Sequence, residues 1–251
     1  SEVLCESRRG RSVELLRLGR LDGQCAHRIL LTCRHHCCEM MASYALEGLM
    51  DLIVSGDDEG AWLRDGVEFL IVPFVDKDGV EDGDQGKNRR PHDHNRDYKG
   101  ESIYPEVRAI RQLVPAWSGG RLRVALDMHC PHISGPHNEV IYMVGSRDRE
   151  NWARVQDFSE CLERAVRGAL PYRKADNLPF GQAWNTGANY GRFVSCQRWT
   201  ARLPGILFGS TMEFPYANVH GQEVTPDTAR AFGHDLARGL AGYLQAEGGA
   251  G

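Results

Sequence analysis

The sequence predicts an α/β fold in which helices cover both faces of a sheet. Short and almost wholly apolar runs, such as residues 67–75 (VEFLIVPFV), are typical of strands buried on both faces. Longer segments with apolar residues at helical spacing alternate with these runs along the chain. Such alternation favours a largely parallel sheet between two layers of helices.

The first half of the chain supplies three predicted strands and two helices. Residues 11–19 (RSVELLRLG) are apolar with polar interruptions and end at a glycine, which indicates a strand. Residues 27–33 (HRILLTC) and 67–75 contain the short apolar runs of buried strands. Residues 39–54 place apolar side chains at three- and four-residue intervals, as an amphipathic helix does. Residues 105–114 form a second such helix, which begins with a proline.

The second half continues the alternation. We predict strands at residues 122–128 (LRVALDM), 139–144 (EVIYMV) and 206–214 (ILFGSTMEF). The intervening and final amphipathic segments, residues 151–170 and 225–244, predict long helices.

The organisation predicted is a single domain over residues 1–246 with a flexible tail at 247–251, since no repeat or internal linker interrupts the pattern. One segment differs in composition. Residues 76–98 (DKDGVEDGDQGKNRRPHDHNRDY) contain almost no apolar side chains, which predicts a long surface loop. Long loops in compact domains are often functional, and this one leaves the end of a predicted strand, where sheets of this class carry their sites.

Composition excludes several classes of function. The 30 Lys and Arg against 34 Asp and Glu give a net charge of −4, so we expect no nucleic-acid partner. The apolar runs fall well short of the roughly 20 residues of a bilayer span, so we expect no membrane partner. Eight cysteines are too few for a disulfide scaffold of this length. Together with a polar N-terminus, they favour buried thiols in the cytoplasm.

Residues with metal chemistry follow two of the predicted strands. His36 and Glu39 are three positions apart where one strand gives way to a helix, so their side chains can point the same way. His129 ends a second buried strand. Two imidazoles and one carboxylate at strand ends would complete a catalytic zinc site with an open position for water. The alternative is that His129 is a core histidine bonded to a backbone carbonyl.

The order of motifs along the chain resembles the funnelin zinc carboxypeptidases. The resemblance rests on six elements in the order of that family: R-x-H-x-x-E, D-G-V, G-x-x-R, N-R, D-x-H and T-x-E. They lie at residues 34–39, 78–80, 86–89, 95–96, 127–129 and 211–213. The resemblance implies a three-layer α/β/α fold around a central mixed, mostly parallel twisted sheet. It is strongest to the cytosolic carboxypeptidase branch and its bacterial relatives.

The metal ligands implied by this resemblance are His36, Glu39 and His129, which would bind one Zn²⁺ per chain. His35 occupies a position where the family has no ligand. Glu213 matches the carboxylate that acts first as general base and then as general acid. Cysteines that flank these ligands are expected to be buried apolar side chains, although thiolates can also bind zinc.

The substrate contacts implied by the resemblance lie mostly in the polar loop. Arg89 matches the arginine that polarises the scissile carbonyl and stabilises the oxyanion. Asn95 and Arg96 match the pair that binds the substrate's terminal carboxylate, and Tyr190 is the nearest candidate for the tyrosine that closes the pocket. That branch often prefers acidic C-terminal residues. The candidates for a basic specificity residue are Arg192, Arg198 and Arg202.

The function predicted is zinc-dependent hydrolysis of the C-terminal peptide bond of a peptide or protein. An amidohydrolase of the aspartoacylase or desuccinylase kind remains an alternative, since an N-acyl amino acid also presents a carboxylate to Arg96. A non-catalytic peptide-binding module is the third interpretation. Its expected feature is the loss of a ligand or of Glu213, and the sequence retains all of them.

Overall fold

A computed structural model describes residues 1–56 and 58–248. The strands are β1 (Glu2–Glu6), β2 (Ser12–Gly19), β3 (His27–Cys33), β4 (Val67–Val72), β5 (Leu122–His129), β6 (Tyr142–Met143), β7 (Phe208–Glu213), β8 (Asn218–Val219) and β9 (Gln222–Glu223). The helices are α1 (Met41–Val54), α2 (Asp58–Gly66), α3 (Lys77–Asp82), α4 (Pro105–Ser118), α5 (Arg149–Ala165), α6 (Gly187–Tyr190), α7 (Cys196–Thr200) and α8 (Pro226–Gly248). Two 3-10 turns lie at His94–Arg96 and Lys174–Asp176.

Seven strands form one mixed sheet in the order β1-β2-β4-β3-β5-β7-β6. The four central strands, β4, β3, β5 and β7, are parallel, whereas β1, β2 and β6 pair antiparallel at the edges. Strands β8 and β9 form a separate small ribbon. The prediction of a mixed, mostly parallel sheet is confirmed.

Hydrophobic cores lie on both faces of this sheet. Ile29 and Leu31 of β3 belong to a core that includes buried side chains of α1, α5 and α8. Leu30, between them, belongs to a second core with side chains of α4. Because successive strand residues point to opposite faces, one apolar strand serves both cores. This arrangement gives the predicted three layers.

Some element bounds differ from the prediction. Strand β1 was not predicted, because it is an edge strand with an exposed, weakly apolar sequence. Helix α2 was missed because only Gly60 and Leu63 of it are buried. Helix α4 continues through Pro115 to Ser118, since Trp117 packs in the core and donates a 2.8 Å hydrogen bond from Nε1 to Glu68.

Other differences concern the loop and the chain end. The polar segment 76–98 is not wholly irregular, since it contains α3 and a 3-10 turn. The predicted strand 139–144 reduces to β6, which pairs with only two residues of β7. Helix α8 runs to Gly248, and the remainder of the predicted tail, 249–251, lies outside the described residues. Within the described ranges, none of the helices has the length and apolar character of a bilayer span.

The buried carboxyl of Glu106 gives the fold a testable pH dependence. This residue of α4 is 2% exposed, and its Oε2 has no hydrogen-bond partner in the described part of the chain. Burial, with the charges of Asp78 and Asp76, raises the pKa of Glu106 from its ordinary value of 4.5 to about 7. The folded state therefore holds the proton more tightly, and stability falls as the pH rises from about 4.5 to about 7.

Replacing Glu106 with glutamine is expected to stabilise the fold at pH 8. A neutral amide avoids the buried charge, so the free energy of unfolding should rise by about 1–3 kcal/mol. The measurement is urea unfolding at pH 5 and pH 8, and the gain should be small at pH 5. Glu101→Gln, at an exposed position nearby, is the control. A variant no more stable than the wild type at pH 8 would contradict the argument.

Candidate metal centre

The parallel strands bring the predicted ligands to one edge of the sheet. Strands β3, β5 and β7 are neighbours, and their carboxyl ends meet there. His129 is the last residue of β5 and lies in register with Glu213, the last residue of β7. His36 follows β3 on a turn that begins at Arg34, which has a left-handed backbone with φ of 60°. That turn closes through a 3.1 Å hydrogen bond from Glu39 N–H to the His36 carbonyl.

His36, Glu39 and His129 form one compact cluster. The Nδ1 atom of His36 lies 2.9 Å from Glu39 Oε1, and the Nδ1 atom of His129 lies 2.7 Å from Glu39 Oε2. The two Nδ1 atoms are 3.2 Å apart. All three side chains offer ligand atoms within 4.8 Å of one another. Although burial opposes ionisation, the two imidazoles hold the pKa of Glu39 well below its usual range.

This donor set fits zinc. Two imidazole nitrogens and one carboxylate are the ligands of a common class of catalytic zinc site, which leaves a position for water or substrate. The two nitrogens converge at a distance that a shared cation explains better than a bond between two imidazoles. The three ligands line a cavity of about 400 Å³, so a substrate could reach the fourth position.

A chain of buried hydrogen bonds holds the His129 ring on its Nε2 side, opposite the nitrogen that faces Glu39. Its Nε2 lies 2.7 Å from Asp127 Oδ2. The other oxygen of Asp127 lies 2.7 Å from His35 Nδ1, and His35 Nε2 lies 2.7 Å from the Tyr98 hydroxyl. His35, Asp127 and Cys196 also lie close enough together to hold a metal. Both ring nitrogens of His35 already have hydrogen-bond partners. We therefore interpret His35 and Asp127 as residues that hold the His129 ring in place, and not as a second metal site.

Glu213 faces the same cavity with an unpaired oxygen. Its side chain is 7% exposed, and Oε2 has no hydrogen-bond partner among the described residues. Burial and the nearby charge of Glu39 raise the pKa of Glu213 to about 7, although His129 and Lys87 oppose that shift. A buried carboxylate without a partner is costly, and such groups often mark functional sites.

The structure brings Asn95, Arg96 and Tyr190 to this cavity. Asn95 is held through its Oδ1, which accepts a 2.9 Å hydrogen bond from Cys196 N–H. Its Nδ2 lies 3.1 Å from His129 Nε2. The Arg96 guanidinium lies 5.2 Å from the Tyr190 ring centroid. Tyr190 in turn donates a 3.1 Å hydrogen bond to Asn185.

The three other arginines suggested by the sequence take different places. Arg198 lies 5.3 Å from the Tyr190 ring centroid and, with Arg202, lines a smaller cavity of about 240 Å³. Arg192 lies beside Phe193 and, with Arg198 and Arg202, lines a further cavity. None of these three arginines lines the metal-site cavity.

The structure does not bring Arg89 to the metal-site cavity. Its guanidinium bonds Asp76 at 3.0 and 2.7 Å and Asp84 at 3.1 Å, and it lines a separate cavity that also includes Glu106. The physical reason is the buried carboxylate of Asp76, 1% exposed, which requires a cationic partner. The expected position of Arg89 at the scissile carbonyl is therefore not observed.

The cavity is also lined by residues that sequence reasoning did not single out, among them Lys87, Asp93, Tyr142 and Trp184. Lys87 and Asp93 lie in the polar loop, whose composition already indicated function. Asp93 Oδ1 lies 3.7 Å from His36 Nε2, so it is placed to orient that ring. Nothing in the sequence around Tyr142 or Trp184 distinguishes them from ordinary core or surface aromatics.

Comparison with known proteins identifies a family that the first part of the chain resembles. The family model described as zinc carboxypeptidase matches residues 2–112, the segment that carries His36, Glu39 and the polar loop. Over this segment the chain is similar to the zinc carboxypeptidase family. Zinc is the cofactor of that family, and the cluster at the carboxyl ends of β3 and β5 has the donors to bind it.

Curated proteins similar to this chain carry related names. Human cytosolic carboxypeptidase 2 is 29% identical over 224 residues, which are 84% of this chain and 23% of that protein. Cytosolic carboxypeptidase 2 of Danio rerio is 25% identical over 171 residues, 65% of this chain and 22% of that protein. The chain therefore spans about a quarter of the length of these relatives.

Solved structures show the same fold. A metallo-carboxypeptidase from Burkholderia cenocepacia superposes with a TM-score of 0.77 at 20% identity, covering 98% of this chain and 64% of that one. Carboxypeptidase A from Helicoverpa armigera gives a TM-score of 0.69 at 16% identity, covering 99% and 68%. At these identities the similarity establishes the fold, and it extends beyond residue 112 to β7 and Glu213.

Proposed function

We propose that this protein is a zinc-dependent metallocarboxypeptidase that hydrolyses the C-terminal peptide bond of peptides or proteins. One observation carries the proposal: the unpaired carboxylate of Glu213 shares a cavity with the cluster of His36, Glu39 and His129 and with Arg96. In this proposal the three cluster residues hold one zinc ion. Zinc bound there would lower the pKa of a water to about 7 and polarise a carbonyl.

Glu213 has the position and the environment of the proton carrier. Hydrolysis forms a bond from the water oxygen to the carbonyl carbon and breaks the bond from that carbon to the amide nitrogen. Glu213 accepts a proton from the water and delivers it to the leaving amine. Since its Oε2 has no hydrogen-bond partner in the described ranges, this oxygen is available for the transfer.

Arg96 is proposed to bind the free carboxylate of the substrate. The ring of Tyr190 packs beside its guanidinium, which leaves the planar donors of the guanidinium suited to a two-point contact with a carboxylate. Asn95, fixed by Cys196, lines the same wall. Tyr190 is the proposed aromatic wall of the pocket, since it lies between Arg96 and Arg198.

Replacing Arg96 with lysine is expected to raise KM roughly tenfold while changing kcat little, because lysine keeps the charge and loses the planar fork. Steady-state kinetics on a blocked dipeptide with a free C-terminus would measure this. Arg164→Lys, a change at a largely exposed arginine on α5, is the matched control. An unchanged KM would exclude Arg96 from carboxylate recognition.

The proposed activity is tested by comparing three substrates: the blocked dipeptide, its C-terminal amide and an N-acyl amino acid. A carboxypeptidase should cleave the first and leave the amide almost untouched. Equal turnover of the free and amidated peptides would contradict the proposal. Preference for the N-acyl amino acid would favour the amidohydrolase, and tight binding without turnover would favour the binding module.

We also propose a cytoplasmic location. All eight cysteines are free thiols, which suits a reducing compartment. The curated relatives are named cytosolic carboxypeptidases, which supports the same compartment.

A further inference from the structure

We propose that Lys87 supplies the positive charge that faces the scissile carbonyl oxygen, the role that the family resemblance implied for Arg89. The inference rests on the proposed peptidase function. It assigns a substrate-facing role to a residue that the motif pattern does not include.

The backbone around Lys87 directs it into the cavity. Gly86 and Asn88, on either side, both have left-handed conformations, with φ of 83° and 57°. A Cβ atom on Gly86 would lie 2.6 Å from the backbone nitrogen of Cys37, so this glycine lets the loop pack directly on the turn that carries His36. Between these two residues, Lys87 enters the metal-site cavity, whereas Arg89 reaches a different one.

The ammonium group of Lys87 reaches the centre of the site. Its Nζ lies 2.6 Å from Glu39 Oε1 and 3.5 Å from the Cys130 carbonyl oxygen. The side chain is 24% exposed, and its charge also interacts with Glu213. Lys87 thus lies within reach of both the metal ligands and the proposed proton carrier. A lysine has a flexible four-carbon stem, so the ammonium can move from Glu39 to a substrate oxygen nearby.

Arg89 is committed to the loop itself. It pairs with Asp76, whose Oδ1 also accepts a 3.0 Å hydrogen bond from Gly79 N–H at the start of α3. Moving Arg89 into the cavity would leave the carboxylate of Asp76 buried without its guanidinium partner, which is strongly unfavourable. Arg89 and Lys87 therefore have different roles. Arg89 stabilises the loop, and Lys87 faces the substrate.

The chemistry favours a cation at this place, in addition to the zinc. When water adds to the scissile carbonyl, negative charge develops on the carbonyl oxygen. A fixed positive group in a partly buried site stabilises that charge more than it stabilises the neutral substrate. Lys87 should therefore contribute mainly to kcat and to the binding of anionic tetrahedral analogues, and little to KM.

The experiment compares zinc-loaded wild type, Lys87→Met, Arg89→Gln and the exposed control Lys99→Met. Calorimetry measures affinity for a peptide phosphonate with a free C-terminus, whose tetrahedral anionic oxygens resemble the charged state. Lys87→Met should weaken phosphonate binding and lower kcat by roughly a hundredfold, the usual effect of losing one oxyanion donor. Zinc content should stay at one per chain, and KM should change little.

Arg89→Gln should instead lower the midpoint of thermal unfolding and leave phosphonate affinity nearly unchanged. Arg89→Lys, which keeps a charge beside Asp76, serves if the glutamine variant does not fold. If the Arg89 variants lost phosphonate affinity and Lys87→Met did not, Arg89 and not Lys87 would be the residue that faces the scissile carbonyl. Loss of zinc in Lys87→Met would show that Lys87 only holds Glu39 in place.

The two proposals fail in different ways. A wild type that cleaves peptides and binds the phosphonate, with Lys87→Met equal to it in both, overturns the role of Lys87 alone. A wild type that neither cleaves peptides nor binds the phosphonate overturns the proposed function, and the role of Lys87 with it.

Discussion

Replacing Glu213 with glutamine is expected to lower kcat by two or more orders of magnitude, the usual contribution of general acid–base catalysis. The substitution preserves size and hydrogen bonding and removes the only group proposed to carry the proton. Since Glu213 lies across from the ligand cluster on a separate strand, zinc content and peptide binding should be unaffected. Single-turnover kinetics, with metal analysis of the same sample, would measure both.

Glu223→Gln, at an exposed position on β9, is the matched control and should keep full activity. Loss of zinc in Glu213→Gln would make Glu213 a ligand and Glu39 the better candidate for the base. A near-normal kcat would remove the central step of the proposed mechanism.

Replacing His36 with alanine is expected to abolish stoichiometric zinc binding. The change leaves only Glu39 and His129, and two protein ligands are too few for a catalytic zinc site. Metal analysis after dialysis against a limiting chelator would show the loss. Activity should disappear with the metal.

The neighbouring His35→Ala provides the comparison. Its ring points away from the cluster to Asp127 and Tyr98 and is fully buried. This variant should retain one zinc and lose stability instead, because Asp127 and Tyr98 each lose a buried hydrogen bond and a cavity remains. The assignment of His36 as the zinc ligand would be wrong if His36→Ala kept one zinc per chain, or if only His35→Ala lost its zinc.

The strands and the ligand cluster could be predicted because both follow from local rules. Buried parallel strands have continuous apolar sequences, and their carboxyl ends meet at one sheet edge. His129 and Glu213 each end such a strand, so their proximity follows from the topology alone. His36 and Glu39 are three positions apart, so a single turn is enough to bring their side chains together.

The loop could not be predicted in the same way. Whether Lys87 or Arg89 enters the cavity depends on the left-handed backbone of Asn88, which a non-glycine residue adopts only when its surroundings impose it. The partner that holds Arg89 away, Asp76, is 13 positions earlier in the chain. Trp184 likewise reaches the cavity through tertiary folding that no local pattern encodes.

The buried chain behind His129 determines the tautomer of that imidazole. An ionised Asp127 can only accept, so His129 must carry its hydrogen on Nε2, and Nδ1 keeps its lone pair on the side of Glu39. The same carboxylate takes the Nδ1 hydrogen of His35, whose Nε2 is then free to accept from Tyr98. The hydrogen bonds behind His129 thus leave the electron pair of its Nδ1 directed at the ligand cluster.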